Sequence, residues 1–205
     1  MGNLEVITQS KWKRDLKHDY FCSGSDTLVV MLPGYGYSVH KPIFYYLSDV
    51  VMKLDFDLLR VNYGFQLSQE DMSFEHELTV LRDEVLEVVS KVDAKVYKEL
   101  IVIGKSIGTG FMDDVVKCLG TDKVKRIYLT PIDRTLPADI SSDMMIVYGD
   151  KDSLLSMESK NRIKGSAASV MVVEDANHTL KTGAMDKDLE AIATLAEQVS
   201  AFCTC

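Results

Sequence analysis

Gly104, Ser106 and Gly108 alternate through the stretch VIGKSIGTG (102–110), which follows an apolar run and opens a helical periodicity. Two unrelated chemistries fit a Gly-Lys-Ser-x-Gly string. A phosphate-cradling loop would use backbone amides and Lys105, whereas a nucleophile turn would hold up Ser106 between two small residues. The phosphate loop requires G-x-x-x-x-G-K-[ST]. Its first glycine would fall at position 99, which is Glu99, and residues 100–103 read as strand. No loop long enough to wrap a phosphate is present there, and an acidic side chain would oppose one. In the G-x-S-x-G reading, Ser106 sits on a sharp strand-to-helix turn where flanking Cβ atoms would collide with neighbouring elements. The free amides and dipole of the following helix would then favour a developing oxyanion.

Such a serine needs a base, and the base needs an orienting carboxylate. Among the histidines, only His178, in EDANHTL, follows a strand near the end of the chain. His18 falls in a charged hairpin, His40 begins a helix and His76 sits in an acidic helix. The carboxylate is expected in the loop after the preceding strand, where VYGDKDSLL offers Asp150 and Asp152. Gly-Asp-Lys-Asp is also ordinary turn chemistry, and His178 could equally be a polar loop residue.

The elements that must position these residues are legible as alternation. DTLVVMLPG (26–34) is a continuous apolar run ended by Pro-Gly, the pattern of a strand buried on both faces. Ile43, Phe44, Leu47, Val50, Val51 and Leu54 then recur at helical spacing. FDLLRVNYG (56–64) reads as the next strand. Phe74, Leu78, Leu81, Val85, Val88, Val89 and Val92 mark one face of a long helix, with Glu75, Glu77, Asp83, Glu84 and Glu87 on its solvated side. KELIVIG (98–104) is a strand, and Ile107, Phe111, Val115 and Leu119 line the helix after it. VKRIYLT (124–130), MMIVYG (144–149) and AASVMVVED (167–175) read as three further strands. A final amphipathic helix turns Met185, Leu189, Ile192, Leu195, Ala196, Val199 and Phe202 inward. Residues 4–22 have the polar–apolar mixture of an edge hairpin. The implied fold class is α/β: a mostly parallel twisted sheet with helices on both faces, in a single domain over residues 1–205. Ligands gather at the carboxyl ends of strands in such folds.

The 205-residue chain carries a formal charge of −8 and a pI near 5.0, which argues against a nucleic-acid partner. Its basic cluster KWKRDLKH (11–18) reads as a solvated hairpin surface. No apolar run approaches the roughly 20 residues that span a bilayer, and MGNLEV has Val6 where a myristoylation signal needs Ser or Thr. Cys22, Cys118, Cys203 and Cys205 show no C-x-x-C spacing, and the N-terminus lacks the apolar region of a secretory signal. Reduced thiols and a cytoplasmic location are the expectation, with the terminal CTC a frayed tail rather than a metal site. No cofactor or metal is expected.

Together these residues resemble the α/β-hydrolase family. GKSIG looks like its nucleophile elbow, GDKD like its G-x-x-D acid turn, ANHTL like its histidine loop and LPGYG like its oxyanion loop. The chain order Ser106, Asp152, His178 is the order that family uses. The resemblance runs from about residue 26 to the final helix. It implies Ser106 as nucleophile, His178 as base and Asp152, rather than Asp150, as the acid. Backbone amides of Tyr35 and Ile107 would form the oxyanion hole. Two positions depart from the family pattern: Leu-Pro-Gly-Tyr replaces the more usual His-Gly, and Lys105 stands where aromatic residues or His are common.

The family commonly inserts a cap domain between the strands ending near Leu129 and beginning near Met144. Here that segment is short, so the site should be open and shallow, with Tyr35, Tyr37, Ile132 and Leu154 lining it. That implies hydrolysis of small or short-chain esters or thioesters. A non-catalytic protein of the same fold binding a small ligand or partner, or an acyltransferase or peptidase using the same triad, is the alternative.

Overall fold

Along β3 (Thr27–Leu32) every residue is buried, because successive side chains enter two different cores. Leu28, Val30 and Leu32 join one core, and Val29 and Met31 join the other. The same two-residue period sends Leu100 and Val102 of β5 (Glu99–Lys105) one way and Ile101 and Ile103 the other. Both faces of the sheet are therefore covered. The structure is a computed structural model describing all residues except Met1, Lys13, Arg14 and Glu75. Lys13 and Arg14 of the basic cluster and Glu75 of the acidic helix face lie outside the described residues.

The remaining strands are β1 (Gly2–Gln9), β2 (Asp15–Cys22), β4 (Asp57–Arg60), β6 (Lys123–Leu129), β7 (Met144–Gly149) and β8 (Ser169–Val173). The eight strands are ordered β1-β2-β4-β3-β5-β6-β7-β8. Pairings β1–β2 and β2–β4 are antiparallel, and the rest are parallel. Helices α1 (Pro42–Lys53) and α6 (Met185–Thr204) cover one face. The other is covered by α3 (Leu78–Ser90), α4 (Met112–Leu119) and α5 (Met157–Lys164). A five-residue helix, α2 (Gly64–Ser68), follows β4. The expected mostly parallel sheet, covered on both faces and lacking a cap, is what forms.

Several local expectations are corrected. The strand read over 56–64 stops at Arg60, and α2 starts at the glycine expected to be only a breaker. The third helix begins at Leu78, not Phe74, and Val92 lies beyond its end. Ser73 and Glu77 bond to each other instead: Ser73 N donates to Glu77 Oε2 at 2.7 Å, and Glu77 N to Ser73 O at 2.8 Å. His76 lies in that turn, and His40 precedes Pro42, the first residue of α1, so neither is helical. Glu84 is not on a solvated face. It is buried and accepts from Ser10 Oγ at 2.7 Å and Lys11 N at 2.6 Å, with burial raising its carboxyl above the usual range. Ile107 and Phe111 belong to a 3-10 segment, Ser106–Phe111, ahead of α4.

Helix α5 went unread because its residues are mostly polar; Ser156 caps it by accepting from Ser159 N. In α6, Met185 and Leu189 are exposed, and the buried seam is Leu195, Val199 and Cys203. The terminal CTC is thus helical through Thr204 with Cys203 buried, not frayed. All four cysteines are free. Among the described residues, no helix is long and apolar enough to cross a membrane, and no cluster of possible metal ligands occurs.

The basic cluster is also less solvated than its charges suggest, since Trp12, Leu16 and His18 are buried. His18 Nδ1 accepts from Asn62 N at 3.0 Å, which requires the proton on Nε2, 2.9 Å from Thr8 Oγ1. Burial pushes this imidazole down to about 4; Asp19 opposes the shift and Lys91 adds to it. Protonation in the unfolded chain therefore begins near pH 6.5, well before the folded ring accepts a proton. Stability should fall as pH drops from about 6.5 to about 4, on the order of 3 kcal/mol in total from this group. Urea titrations across that range will show a shallower decline for His18→Gln than for the unaltered chain.

Candidate active site

Ser106 lies one residue beyond β5, where the backbone adopts φ 51°, a left-handed value that a serine rarely takes. Two close approaches hold it there. A Cβ at Gly104 would lie 2.9 Å from Thr109 Cα, and one at Gly108 would lie 2.5 Å from both Leu32 O and Pro33 O. The strained turn is therefore wedged between its own 3-10 segment and the end of β3. Thr109 Oγ1 donates to Ser106 O at 2.6 Å and lies equally close to Thr135 Oγ1.

Three loops at the carboxyl edge of the sheet converge on this serine. Ser106 Oγ is 2.9 Å from His178 Nε2, and His178 Nδ1 is 2.8 Å from Asp152 Oδ2. A carboxylate only accepts, so the imidazole proton sits on Nδ1 and the Nε2 lone pair faces the serine hydroxyl. The Asp152 side chain is fully buried, and its second oxygen accepts from Leu154 N at 2.8 Å. Lys160 of α5 donates to Asp150 O at 2.9 Å and Asp152 O at 2.8 Å, bracing the acid loop from below. Asp150 itself is exposed, and the carboxylate bonded to the histidine ring is that of Asp152. Gly149 leaves room for the histidine loop, because a Cβ there would strike Ala176 O.

The loop after β3 closes the third side. A Cβ at Gly34 would lie 3.3 Å from Ser106 Cβ, so the two turns nearly touch. Gln66 of α2 donates its side-chain amide to Gly34 O at 2.6 Å and Tyr35 O at 2.8 Å, which fixes the orientation of both peptides. Sequence reasoning missed Gln66, and nothing local marks it, since its role depends on α2 packing beside a loop 31 residues earlier.

These loops surround a cavity of about 630 Å³. Tyr35, Tyr37, Ile132 and Leu154 all line it, with Ser106 and His178 at its base. Phe74 lines it too, having been assigned by its spacing to a helix face instead. Its ring lies 4.9 Å from that of Tyr35, and the Arg134 guanidinium carbon lies 5.1 Å from its centroid. Lys105 reaches the cavity wall yet is 1% exposed, and burial holds its amine down to about 7, with Asp152 acting in the opposite direction. Within the segment joining β6 to β7, the only regular structure is a three-residue 3-10 turn, Asp133–Thr135.

The arrangement can polarise a serine hydroxyl and hold an apolar group beside it. It depends on the absence of a side chain at position 108. Gly108→Ala will displace the turn from β3 and destabilise the fold by about 1–3 kcal/mol, the range for overpacking. A lowered urea midpoint will report it.

No protein-family model matches the sequence, and no curated protein matches it. Solved structures do. An α/β serine hydrolase without lid from Xanthomonas campestris superposes with a TM-score of 0.69 at 14% identity, covering 98% of this chain and 94% of the other. A dienelactone hydrolase from Anabaena variabilis gives 0.68 at 13%, covering 98% and 96%. The Pyrococcus furiosus esterase Pf2001 gives 0.69 at 13%, covering 99% and 92%. Similarity at this level of identity carries the fold. With its strand order, its elbow after β5 and its short β6–β7 connection, the chain has the α/β-hydrolase fold in a form without a cap.

Proposed function

We propose that this protein is a serine hydrolase that cleaves small or short-chain carboxylic esters or thioesters through an acyl-enzyme on Ser106. The observation that carries this reading is the continuous chain from Ser106 Oγ to His178 to a buried Asp152, at 2.9 and 2.8 Å, opening into the apolar cavity. His178 Nε2 takes the hydroxyl proton as Ser106 Oγ attacks the substrate carbonyl, and Asp152 stabilises the imidazolium. The amides of Ile107, in the first turn of the 3-10 segment, and of Tyr35 would hold the oxyanion. Gln66 supports that assignment by pinning the carbonyls of Gly34 and Tyr35.

Collapse of the tetrahedral intermediate expels the alcohol or thiol, which takes its proton from His178. Water then attacks the acyl-serine with His178 as base, releasing the acid and restoring the hydroxyl. Tyr35, Tyr37, Ile132 and Leu154 would contact the acyl or leaving group, and an uncapped cavity of about 630 Å³ suits short substrates.

A fluorophosphonate will label the unaltered protein and leave Ser106→Ala unlabelled. On p-nitrophenyl esters and acyl thioesters of graded chain length, turnover will be greatest for the short acyl groups. Ser106→Ala will lower kcat by about 10⁴-fold or more. Labelling that persists in Ser106→Ala, or no turnover of any ester or thioester, would falsify the assignment. A preference for acyl transfer to an added alcohol or amine over water would redirect it to an acyltransferase.

A further inference from the structure

Lys105 has no part in the acyl chemistry just described, yet it is the last residue of β5 and the neighbour of Ser106. Its side chain is 1% exposed and no carboxylate forms an ion pair with it among the described residues. Burying an ammonium is costly, and a methionine of similar length would fill the same space without that cost. What the amine does instead is bridge elements. Nζ donates to Thr130 Oγ1 at 2.6 Å, just past the end of β6, and to His178 O at 3.2 Å. It also lies 5.0 Å from the centroid of the Tyr37 ring, on the loop after β3. One side chain thus touches the histidine loop, the β6 end and the loop that faces the serine.

We propose that Lys105 is a positioning residue, tying the main-chain carbonyl of His178 to Thr130 so that the imidazole is held against Ser106 Oγ. The inference rests on the hydrolase reading above. His178 lies on an irregular loop, where Asp175 and Leu180 both take positive φ values of 60°. A strand-borne anchor at the carbonyl of His178 itself limits the ring's rotation about that loop more directly than any contact farther along.

The test compares the unaltered protein with Lys105→Met, Thr130→Ala and Thr130→Ser on one short-chain p-nitrophenyl ester, measuring kcat and KM from about pH 5 to 9 alongside thermal melts. Lys105→Met should lose about 10²-fold in kcat, the scale of a slight misplacement of a reacting group. Its KM should stay within about twofold and its melting temperature should not fall. Thr130→Ala should lose kcat in the same direction, and Thr130→Ser, which restores the hydroxyl, should recover it. Should Lys105→Met not fold, the Thr130 pair decides. Unchanged kcat in Lys105→Met, a rise in KM alone, or a Thr130→Ala variant as active as the unaltered protein overturns the role of Lys105 while leaving the labelled serine intact. An unaltered protein that neither labels nor turns over ester overturns both readings.

Discussion

The lack of space around Ser106 is the constraint on which the rest of the carboxyl edge depends. The serine can stand clear of β5 only because its backbone turns to φ 51°, and that turn survives only because positions 104, 108 and 34 carry no side chain. An ordinary residue would relax out of the left-handed region at a gain of about 1–3 kcal/mol. Here the end of β3 and the 3-10 segment leave it nowhere to relax. The same crowding sets the loop after β3 nearly in contact with Ser106, so the serine and that loop come together through one steric arrangement.

Polar contacts then fix what sterics leave loose. The acid and histidine loops are irregular, and each is held by a lysine that donates to main-chain carbonyls: Lys160 beneath residues 150 and 152, and Lys105 beneath residue 178. Carbonyls suit this task because they are present whatever the loop's side chains, and in a buried setting a charged donor binds them strongly. The loop after β3 follows the same pattern with an uncharged donor, Gln66. Three loops of the site are thus gripped by their backbones, which leaves Ser106, Asp152 and His178 free to face one another.

Much of this architecture is legible in the chain itself. Runs such as LVVML and LIVIG have no polar member because each alternate residue enters a different core, so the strands are legible from the runs and their mostly parallel pairing from the alternation of strand and helix. The glycines of GKSIG and the order of serine, aspartate and histidine are equally local signals. Misreadings arose where a residue's environment comes from elsewhere in the chain. Phe74 and Glu84 sit at helical spacing, but Phe74 precedes the helix with its ring tilted against that of Tyr35, and a hairpin donating to its carboxylate withdraws Glu84 from the solvated face. Polar α5 escaped notice because it buries little beyond Ile163 and the foot of Lys160.

The sequence by itself therefore determined the layered sheet, the sharp turn at Ser106 and the residue types available to serve it, because these follow from two-residue and helical periods and from where glycine is tolerated. That Gln66 pins the loop after β3, that Phe74 joins the cavity wall and what the lysine beside the serine contacts were decided only by tertiary structure. Ser106 and His178 are 72 positions apart, and Lys105 reaches a carbonyl 73 positions away. Contacts of that span depend on how loops fold back over the sheet edge, and no periodicity along the chain records the path of a loop.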